Sequence, residues 1–167
     1  MKKISIISLI ILASATMAHA QTGIETKTVG LSAVLEFPTG TTKGIILPAV
    51  EVLPSSPANG TFLFDRNDSK VKMRQNNAWV ELSGTGSNAS LVPYSGTVDN
   101  AKKTVMGALD SGAEGVLILE SANKAVVLPH VANPHLTVKS PIAGMMCYDT
   151  VRQAVAFFNG TVWSYWK

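Results

Sequence analysis

Cysteine, histidine and charge are all scarce in this chain of 167 residues. It has one Cys, three His and 15% charged residues against 46% hydrophobic ones. A lone Cys excludes a disulfide framework within the chain, and so few His exclude most zinc or catalytic clusters. The low charge excludes a polybasic nucleic-acid arm and a disordered charged tail. We therefore expect a folded binding or structural protein with no cofactor, no metal site and no nucleic-acid partner.

The first 20 residues have the three parts of a Sec signal peptide. Lys2 and Lys3 form a positive start, an apolar stretch follows over residues 4–12, and Ala18-His19-Ala20 is a small-x-small cleavage site. The apolar stretch is shorter than the ~20 residues of a membrane-spanning helix. We expect export to the periplasm, the cell surface or the medium, with no membrane span in the mature chain. Cleavage would lower the net charge from +3 to +1, which weakens attraction to anionic partners.

Two blocks of the remaining sequence resemble each other at a spacing of about 84 residues. Each has an apolar segment ending in Glu, a Lys-x-x-x-Leu-Pro segment, a Gly followed by an apolar run and Asp, and a Trp 19 residues after that Gly. We predict a signal peptide at 1–20, a first β module at 21–83, a linker and intervening segment without a counterpart at 84–112, and a second β module at 113–167. The matched landmarks are Pro48, Gly60, Asp65 and Trp79 in the first module and Pro129, Gly144, Asp149 and Trp163 in the second.

Within each module the local signals predict an all-β fold of short antiparallel strands. Apolar runs rich in Val, Ile and Phe are bounded by Gly, Pro, Asn and Asp. Leu-Pro should end a strand, and residues 65–69, 76–77 and 159–160 should form hairpin turns. Only residues 100–109 could hold a helical turn or two. Modules this small bury little surface alone, so we expect them to share a core or the chain to oligomerise.

These residues resemble a module found in secreted proteins of Bacteroidota and in phage tail-fibre-like proteins. The pattern of that module is Lys-Gly-Leu-Leu-Leu-Pro, then Gly-Leu-Val-Tyr-Asp, then Tyr-Asn-Gly-Thr-x-Trp. It is matched at residues 43–50, 57–65 and Trp79, and again at residues 124–131, 141–150 and 157–163. The resemblance implies structure and attachment rather than a known reaction. Asp149-Thr150-Val151 also resembles the short O-glycosylation motif of Bacteroidota.

Three polar features have a structural interpretation beside a functional one. Cys147 aligns with Leu63, so it should be a buried apolar position rather than a nucleophile. His130 and His135 each follow a Pro and lack zinc spacing, which indicates a surface loop. The loop over residues 65–69 has the oxygen density of a calcium loop but lacks the Gly and distal Glu of an EF-hand. The aligned loop keeps only its first acid, so the turn is the shared requirement.

Two function classes remain beside a structural or adhesion role. Glu36 and Glu120 recur, but two-carboxylate chemistry needs both acids within ~5–10 Å, so we predict no enzyme and no catalytic residue. Tyr165 and Trp166 lie in an aromatic C-terminal segment and could stack on a sugar ring. We therefore predict a non-enzymatic structural or adhesion protein that binds itself, a surface glycan or a protein. The alternative is a carbohydrate-binding module that uses Tyr165 and Trp166.

Overall fold

The computed structural model describes residues 21–91 and 103–167 and confirms an all-β fold. The predicted signal peptide and residues 92–102 lie outside the described residues. The strands of the first block are β1 (Thr22–Gly23), β2 (Ala33–Glu36), β3 (Ile45–Ile46), β4 (Ala49–Val50), β5 (Phe62–Asp65), β6 (Lys70–Gln75) and β7 (Ala78–Glu81). The remaining strands are β8 (Thr104–Met106), β9 (Leu117–Leu119), β10 (Ala125–Val127), β11 (His130–Val131), β12 (Met145–Asp149), β13 (Ala154–Phe158) and β14 (Trp163–Trp166).

Two sheets have the same strand order and the same register. The first sheet runs β4-β5-β6-β7, and the second runs β11-β12-β13-β14. Phe62 pairs with Met73 in the first sheet, and Met146 pairs with Phe157 at the corresponding place in the second. The third strand of each sheet pairs with the fourth in matching register as well. Because register decides which side chains face the core, the two sheets turn corresponding positions to corresponding faces.

The sheets are mixed rather than purely antiparallel. β4 runs parallel to β5, and β11 runs parallel to β12, whereas the other neighbours within these two sheets are antiparallel. The parallel pairs arise because a long connection, rather than a hairpin, joins their strands. The Pro48 carbonyl accepts a hydrogen bond from Phe64 N, and the Pro129 carbonyl accepts one from Tyr148 N, each at 2.9 Å. Both Leu-Pro pairs end a strand, as predicted.

The predicted turns lie where the strands reverse. Residues 66–69 connect β5 with β6. Asn76 and Asn77 connect β6 with β7 and have φ values of 49° and 59°, the left-handed pair that a type I′ hairpin requires. Gly160 lies between β13 and β14 with φ 93°. There the Asn159 Oδ1 accepts hydrogen bonds from the backbone N–H groups of Thr161 and Val162, so the side chain itself closes the turn.

The two blocks are joined by strand pairs, which we call the seam. In the seam, β2 of the first block runs parallel to β10 of the second, with Leu35 opposite Val126. β3 of the first block runs antiparallel to β12 of the second, with Ile46 opposite Met145. Each of the strands β2, β3, β10 and β12 thus has an edge that is paired, wholly or in part, with the other block.

The main core is shared between the blocks, which is the first of the two arrangements expected from their size. Phe64 and Val71 are fully buried and pack in one cluster with Phe157 and Ala143 of the second block. The other buried members are Leu47, Met73, Leu82 and Met146. A smaller cluster of Val131, Cys147 and Ala156 lies within the second block. Because one cluster draws on both sheets, neither block buries its apolar face alone.

A strand inside the intervening segment has a counterpart that the sequence comparison did not find. β8 pairs in parallel with β9, and Met106 lies opposite Leu119. In the first block β1 pairs in parallel with β2, and Thr22 lies opposite Leu35 in the corresponding register. These strands are only two or three residues long, too short to give a periodic sequence signal.

The Gly-rich start of the predicted linker is docked on the second block. Ser87 N donates to the Asn159 carbonyl at 2.8 Å, and the Asn159 Nδ2 donates to the Gly84 carbonyl at 3.0 Å. A Cβ placed on Gly86 would lie 1.9 Å from the Asn159 carbonyl oxygen. Glycine is therefore required at residue 86 by close backbone approach, and this segment is part of the packed structure.

One short helix, α1 (Pro134–Thr137), interrupts the second block between β11 and β12. Pro134 occupies its first turn, where a missing N–H costs nothing. The helical turn considered for residues 100–109 is wrong over the described part, because residues 104–106 form β8. Over residues 21–91 and 103–167, no helix has the length and apolar character needed to cross a membrane.

Candidate assembly interface

An apolar groove lies along β10 and β11. It is lined by Val126, Val127, Leu128, His130 and Tyr148 and has a volume of about 270 Å³. β10 is the end strand of its three-stranded sheet, and Val126 is 39% exposed. No Asp, Glu, Lys or Arg lines the groove. Among the described strands, the outer edge of β10 has no partner, so this side of the groove offers unpaired backbone groups beside apolar side chains, which is the surface that another strand binds.

Two further strands expose apolar side chains beside an unpaired edge. β9 belongs to a two-stranded sheet with β8, and Leu117 at its start is 47% exposed. β3 pairs only with β12 among the described strands, and its Ile46 is 45% exposed. Native proteins usually cover or charge such edges. Within residues 21–91 and 103–167 no further strand pairs with these edges, which makes them candidate interaction surfaces.

Cys147 is fully buried in the small cluster of the second block, as predicted. Leu63, with which it aligns, is buried as well. Burial, together with the nearby Asp149 carboxylate, raises the pKa of the Cys147 thiol to about 12. The thiol therefore stays protonated at neutral pH, and a protonated thiol is a poor nucleophile.

The acidic loop over residues 65–69 is neutralised by a lysine rather than left open for a cation. Lys72 Nζ lies 2.7 Å from Asp65 Oδ2 and 2.6 Å from Asp68 Oδ2. Burial tends to raise the pKa of Asp65, but the hydrogen bonds from Lys72 and from Asn67 N outweigh it and hold the pKa below its usual value. Within the part of the chain that the structure describes, no group of three or more His, Cys, Asp or Glu is placed to hold a metal ion.

Asp65 and Asp149 share a role in closing a turn. Asp65 Oδ1 accepts a hydrogen bond from Asn67 N, and Asp149 Oδ1 accepts one from Val151 N, each at 2.9 Å. Asp149 also accepts from Arg152 N at 3.2 Å. The two carboxylates thus hold the corresponding hairpins, which explains why this landmark recurs while the acids around it do not.

The sequence indicated that His130 and His135 lie on an irregular loop, and this prediction is wrong. His130 is in β11, and its ring is tilted against Tyr148 with the ring centroids 5.3 Å apart. His135 is in α1, and its Nδ1 lies 3.2 Å from the Tyr165 hydroxyl. Pro129 directly precedes the extended strand β11, and Pro134 is the first residue of α1. Proline is compatible with both positions, so short elements can form there.

The recurrent glutamates are each held locally. Glu36 Oε2 accepts a hydrogen bond from Gly30 N at 2.6 Å, and the Glu120 carboxylate accepts one from the Ser111 hydroxyl. Glu36 ends β2, and Glu120 follows β9 in a different sheet. Both hydrogen bonds have a structural role, since each one connects a neighbouring loop to the end of the strand at which the glutamate lies.

The remaining landmarks have defined structural positions. Gly60 and Gly144 have φ values of 88° and 85°, which only glycine adopts readily. Trp79 and Trp163 are both half-buried, and Trp163 packs against the small cluster of the second block. Arg74 lies over the Trp79 ring at 5.7 Å, and Phe158 lies 5.4 Å from the Trp163 ring.

The two C-terminal aromatic residues point to opposite faces of β14. Tyr165 packs with the small cluster of the second block, and the Arg152 guanidinium lies 4.2 Å from the centre of its ring. Burial raises the pKa of Tyr165, against the lowering effect of Arg152. Trp166 is 46% exposed. Because alternate residues of a strand face opposite sides, the two rings do not form one continuous stacking surface.

One family model matches the chain. Residues 107–167 are similar to the phage tail like trimerisation region. The matched range contains β9, β10 and strands β11 to β14 of the second sheet. It therefore includes the groove and the exposed edge of β9. No curated protein and no solved structure matches the chain. The match supports a phage tail-fibre-like module with a structural, assembly-type role, and it supports self-association.

Proposed function

We propose that the protein is an exported structural subunit that acts by assembling with copies of itself into a trimer. The observation that carries this proposal is the position of the unpaired strand edges inside the range that matches a trimerisation region. Strand edges with exposed apolar side chains bind most readily to other strands. The groove also lacks charged side chains, as the centre of an association surface does.

The corresponding registers of the two sheets support a further part of the proposal. We take the blocks to be two copies of one module, of the kind that the sequence resembles in secreted proteins of Bacteroidota. An assembly of such modules at the cell surface or outside the cell would serve attachment. This role needs no reaction, and the groups described above have structural partners or are buried: Cys147 is buried, Glu36 accepts from Gly30 N, and His135 Nδ1 lies 3.2 Å from the Tyr165 hydroxyl.

The test of self-association is light scattering coupled to size-exclusion chromatography on the exported protein over a range of concentrations. The expected result is a particle of three times the monomer mass at high concentration. A particle of monomer mass throughout the range would overturn the proposal. Mass spectrometry of the same sample tests export, since cleavage after Ala20 predicts a chain that begins at Gln21. Recovery of the chain with Met1 from the cytoplasm would contradict that part.

A surface glycan is the second candidate for what the assembly binds, and the exposed face of Trp166 favours it. Indole rings stack on apolar faces of bound ligands. Binding to a glycan array that is lost on Trp166→Ala but kept on Val52→Ala, an exposed control in the first block, is the expected result. Equal binding by both variants would remove Trp166 from this role.

A further inference from the structure

The seam within the chain joins the blocks head to tail. The first block contributes its strands β2 and β3, whereas the second block contributes β10 and the start of β12. In the common strand order, β2 corresponds to β9, β3 to β10, and β5 to β12. The second block therefore has its own unused version of the β2–β3 surface. The first block has an unused version of the β10–β12 surface.

The unused surfaces are the exposed edges already described. β9 and β10 are end strands, and each exposes an apolar side chain, Leu117 and Val126 respectively. On the first block, β3 has one unpaired edge in the described structure, and β4 pairs with β5 only from Phe64 onward. Among the described strands, none therefore pairs with the backbone edge at Thr61 and Phe62 on the β4 side of β5. The corresponding edge of β12, at Met145 and Met146, pairs with β3.

The surroundings of Gly144 and of the corresponding Gly60 differ in the same way, since Gly144 is covered by the other block and, within the described residues, Gly60 is not. Leu47 N donates to the Gly144 carbonyl at 3.0 Å across the seam. A Cβ on Gly144 would lie 3.2 Å from the Phe64 Cβ and 3.7 Å from the Leu47 Cβ. A Cβ on Gly60, the corresponding glycine, would meet nothing within 4 Å. The partners missing at Gly60 correspond to Leu128 and Tyr148, and both of these line the groove.

We propose that the seam is repeated between chains and closes the trimer. This inference rests on the proposed function. β10 of one chain pairs antiparallel with the start of β5 of the next chain, with Val127 opposite Thr61 and Val126 opposite Phe62. β9 pairs parallel with β3 of the next chain. Contacts of this head-to-tail kind form a ring when the rotation closes. Three chains then give six blocks in equivalent contacts, and the ring removes the free strand edges.

The register of the internal seam allows a covalent test. Since Leu47 and Gly144 form a hydrogen-bonded position, the neighbouring pair of Ile46 and Met145 is a non-hydrogen-bonded position. Cα atoms at such positions are ~4.5 Å apart, which suits a disulfide. The corresponding pair between chains is Val127 and Thr61. The native Cys147 does not compete, because it is buried and protonated.

The test variant carries Thr61→Cys and Val127→Cys, and the matched control carries Ile46→Cys and Met145→Cys. After mild oxidation, a non-reducing denaturing gel is expected to show dimer and trimer bands for the test variant. The control should stay at the monomer position because its disulfide lies within one chain. Each single substitution alone should give no trimer band. The reduced test variant must also elute at the same volume as the unmodified protein.

The outcomes separate this inference from the proposed function. A trimer by light scattering without cross-linked bands in the test variant overturns the repeated seam and leaves trimerisation in place. A ladder from the control pair with none from the test pair also overturns it, because the internal seam would then be the contact between chains. A monomer by light scattering overturns both.

As a second variant, Val126→Glu should raise the concentration needed for trimer formation by at least about tenfold, because it buries an unpaired charge. Val52→Glu, exposed and away from the seam, should not.

Discussion

The two blocks have corresponding strands, but one corresponding pair of apolar side chains differs in how well it is covered. Leu47 is 7% exposed and Phe64 is fully buried, whereas their counterparts Leu128 and Tyr148 are half-buried. The difference does not come from the local fold, because the sheets share order and register. It comes from the neighbour, since Leu47 and Phe64 pack against Gly144 of the second block, whereas within the described residues a Cβ on the corresponding Gly60 would meet nothing within 4 Å. The burial of Leu47 and Phe64 therefore depends on the seam. A substitution can change it without changing the burial of Leu128 and Tyr148.

The largest expected effect comes from Phe64→Ala. Truncating a fully buried Phe in the shared core should lower the free energy of unfolding by about 3–5 kcal/mol, measured by urea denaturation. Tyr148→Ala, at the corresponding position, should cost less in the isolated chain and should instead weaken self-association. Equal losses of monomer stability from the two variants would contradict the asymmetry between the blocks.

Lys72→Met tests a difference between the corresponding sheet faces. Lys72 neutralises Asp65 and Asp68 in the first sheet, whereas Ala156 takes its place in the second. Removing the cation leaves a buried carboxylate unpaired and should cost roughly 3 kcal/mol. Lys70→Met, on the same strand as Lys72, breaks an exposed pair with Glu81 of β7. It is the control and should cost less than about 1 kcal/mol.

The pH dependence sharpens the same comparison. The pKa of Asp65 is lower in the folded chain than its usual value, so its contribution to stability is present above the unfolded pKa of ~3.9 and is lost as pH falls through the folded pKa. Acid titration of the urea midpoint should therefore show a steeper decline for the native chain than for Asp65→Asn. Parallel curves would mean that Lys72 does not hold the pKa of Asp65 below its usual value.

Gly86→Ala should have a smaller but clear effect on how the predicted linker docks. The added Cβ would meet the Asn159 carbonyl oxygen, and backbone atoms cannot move away cheaply, so a loss of about 1–3 kcal/mol is expected. Gly84→Ala is the matched control, because a Cβ there meets nothing within 4 Å and its φ is not in the left-handed region. Thermal melts of the two variants should differ by several degrees.

The smallest effect is expected from Trp166→Ala. Its side chain is half-exposed at the last strand of the second sheet, so its removal should cost about 1 kcal/mol or less. It also lies away from the seam strands and should leave the particle mass unchanged. Tyr165→Ala, which loses contacts with Arg152 and His135, should be more destabilising. A change in particle mass on Trp166→Ala would place β14 in the association surface.

The sequence predicted the strands and turns well because their signals are local. Leu-Pro, Asn76-Asn77 and the Asp65 and Asp149 turns act through neighbouring residues, and the all-β fold follows from them. It could not predict the seam, because matching blocks identifies equivalent strands without saying which copy of a strand pairs with which. β1 and β8 were missed because they are held by pairing rather than by an apolar pattern.

The candidate interface was only partly predictable for the same reason. Val126, Val127 and Leu128 have the composition of a buried strand, and nothing in their sequence distinguishes Leu128 from Leu47, which is buried. Tyr165 and Trp166 were singled out as exposed aromatics, but Tyr165 is covered by Arg152, a residue in the turn between β12 and β13. Exposure depends on tertiary neighbours, and these do not follow from periodicity.

The pairing of β2 with β10 also dictates an order of events during synthesis. Within the first block β2 pairs with the two-residue β1, but Ala33 lies opposite Ala125 on its other edge, so that edge has no partner until most of the chain has left the ribosome. Contacts between such distant segments form slowly. In the meantime the apolar strand β2 is available to other chains. A chain truncated between the blocks is therefore expected to aggregate rather than to fold as half of the protein.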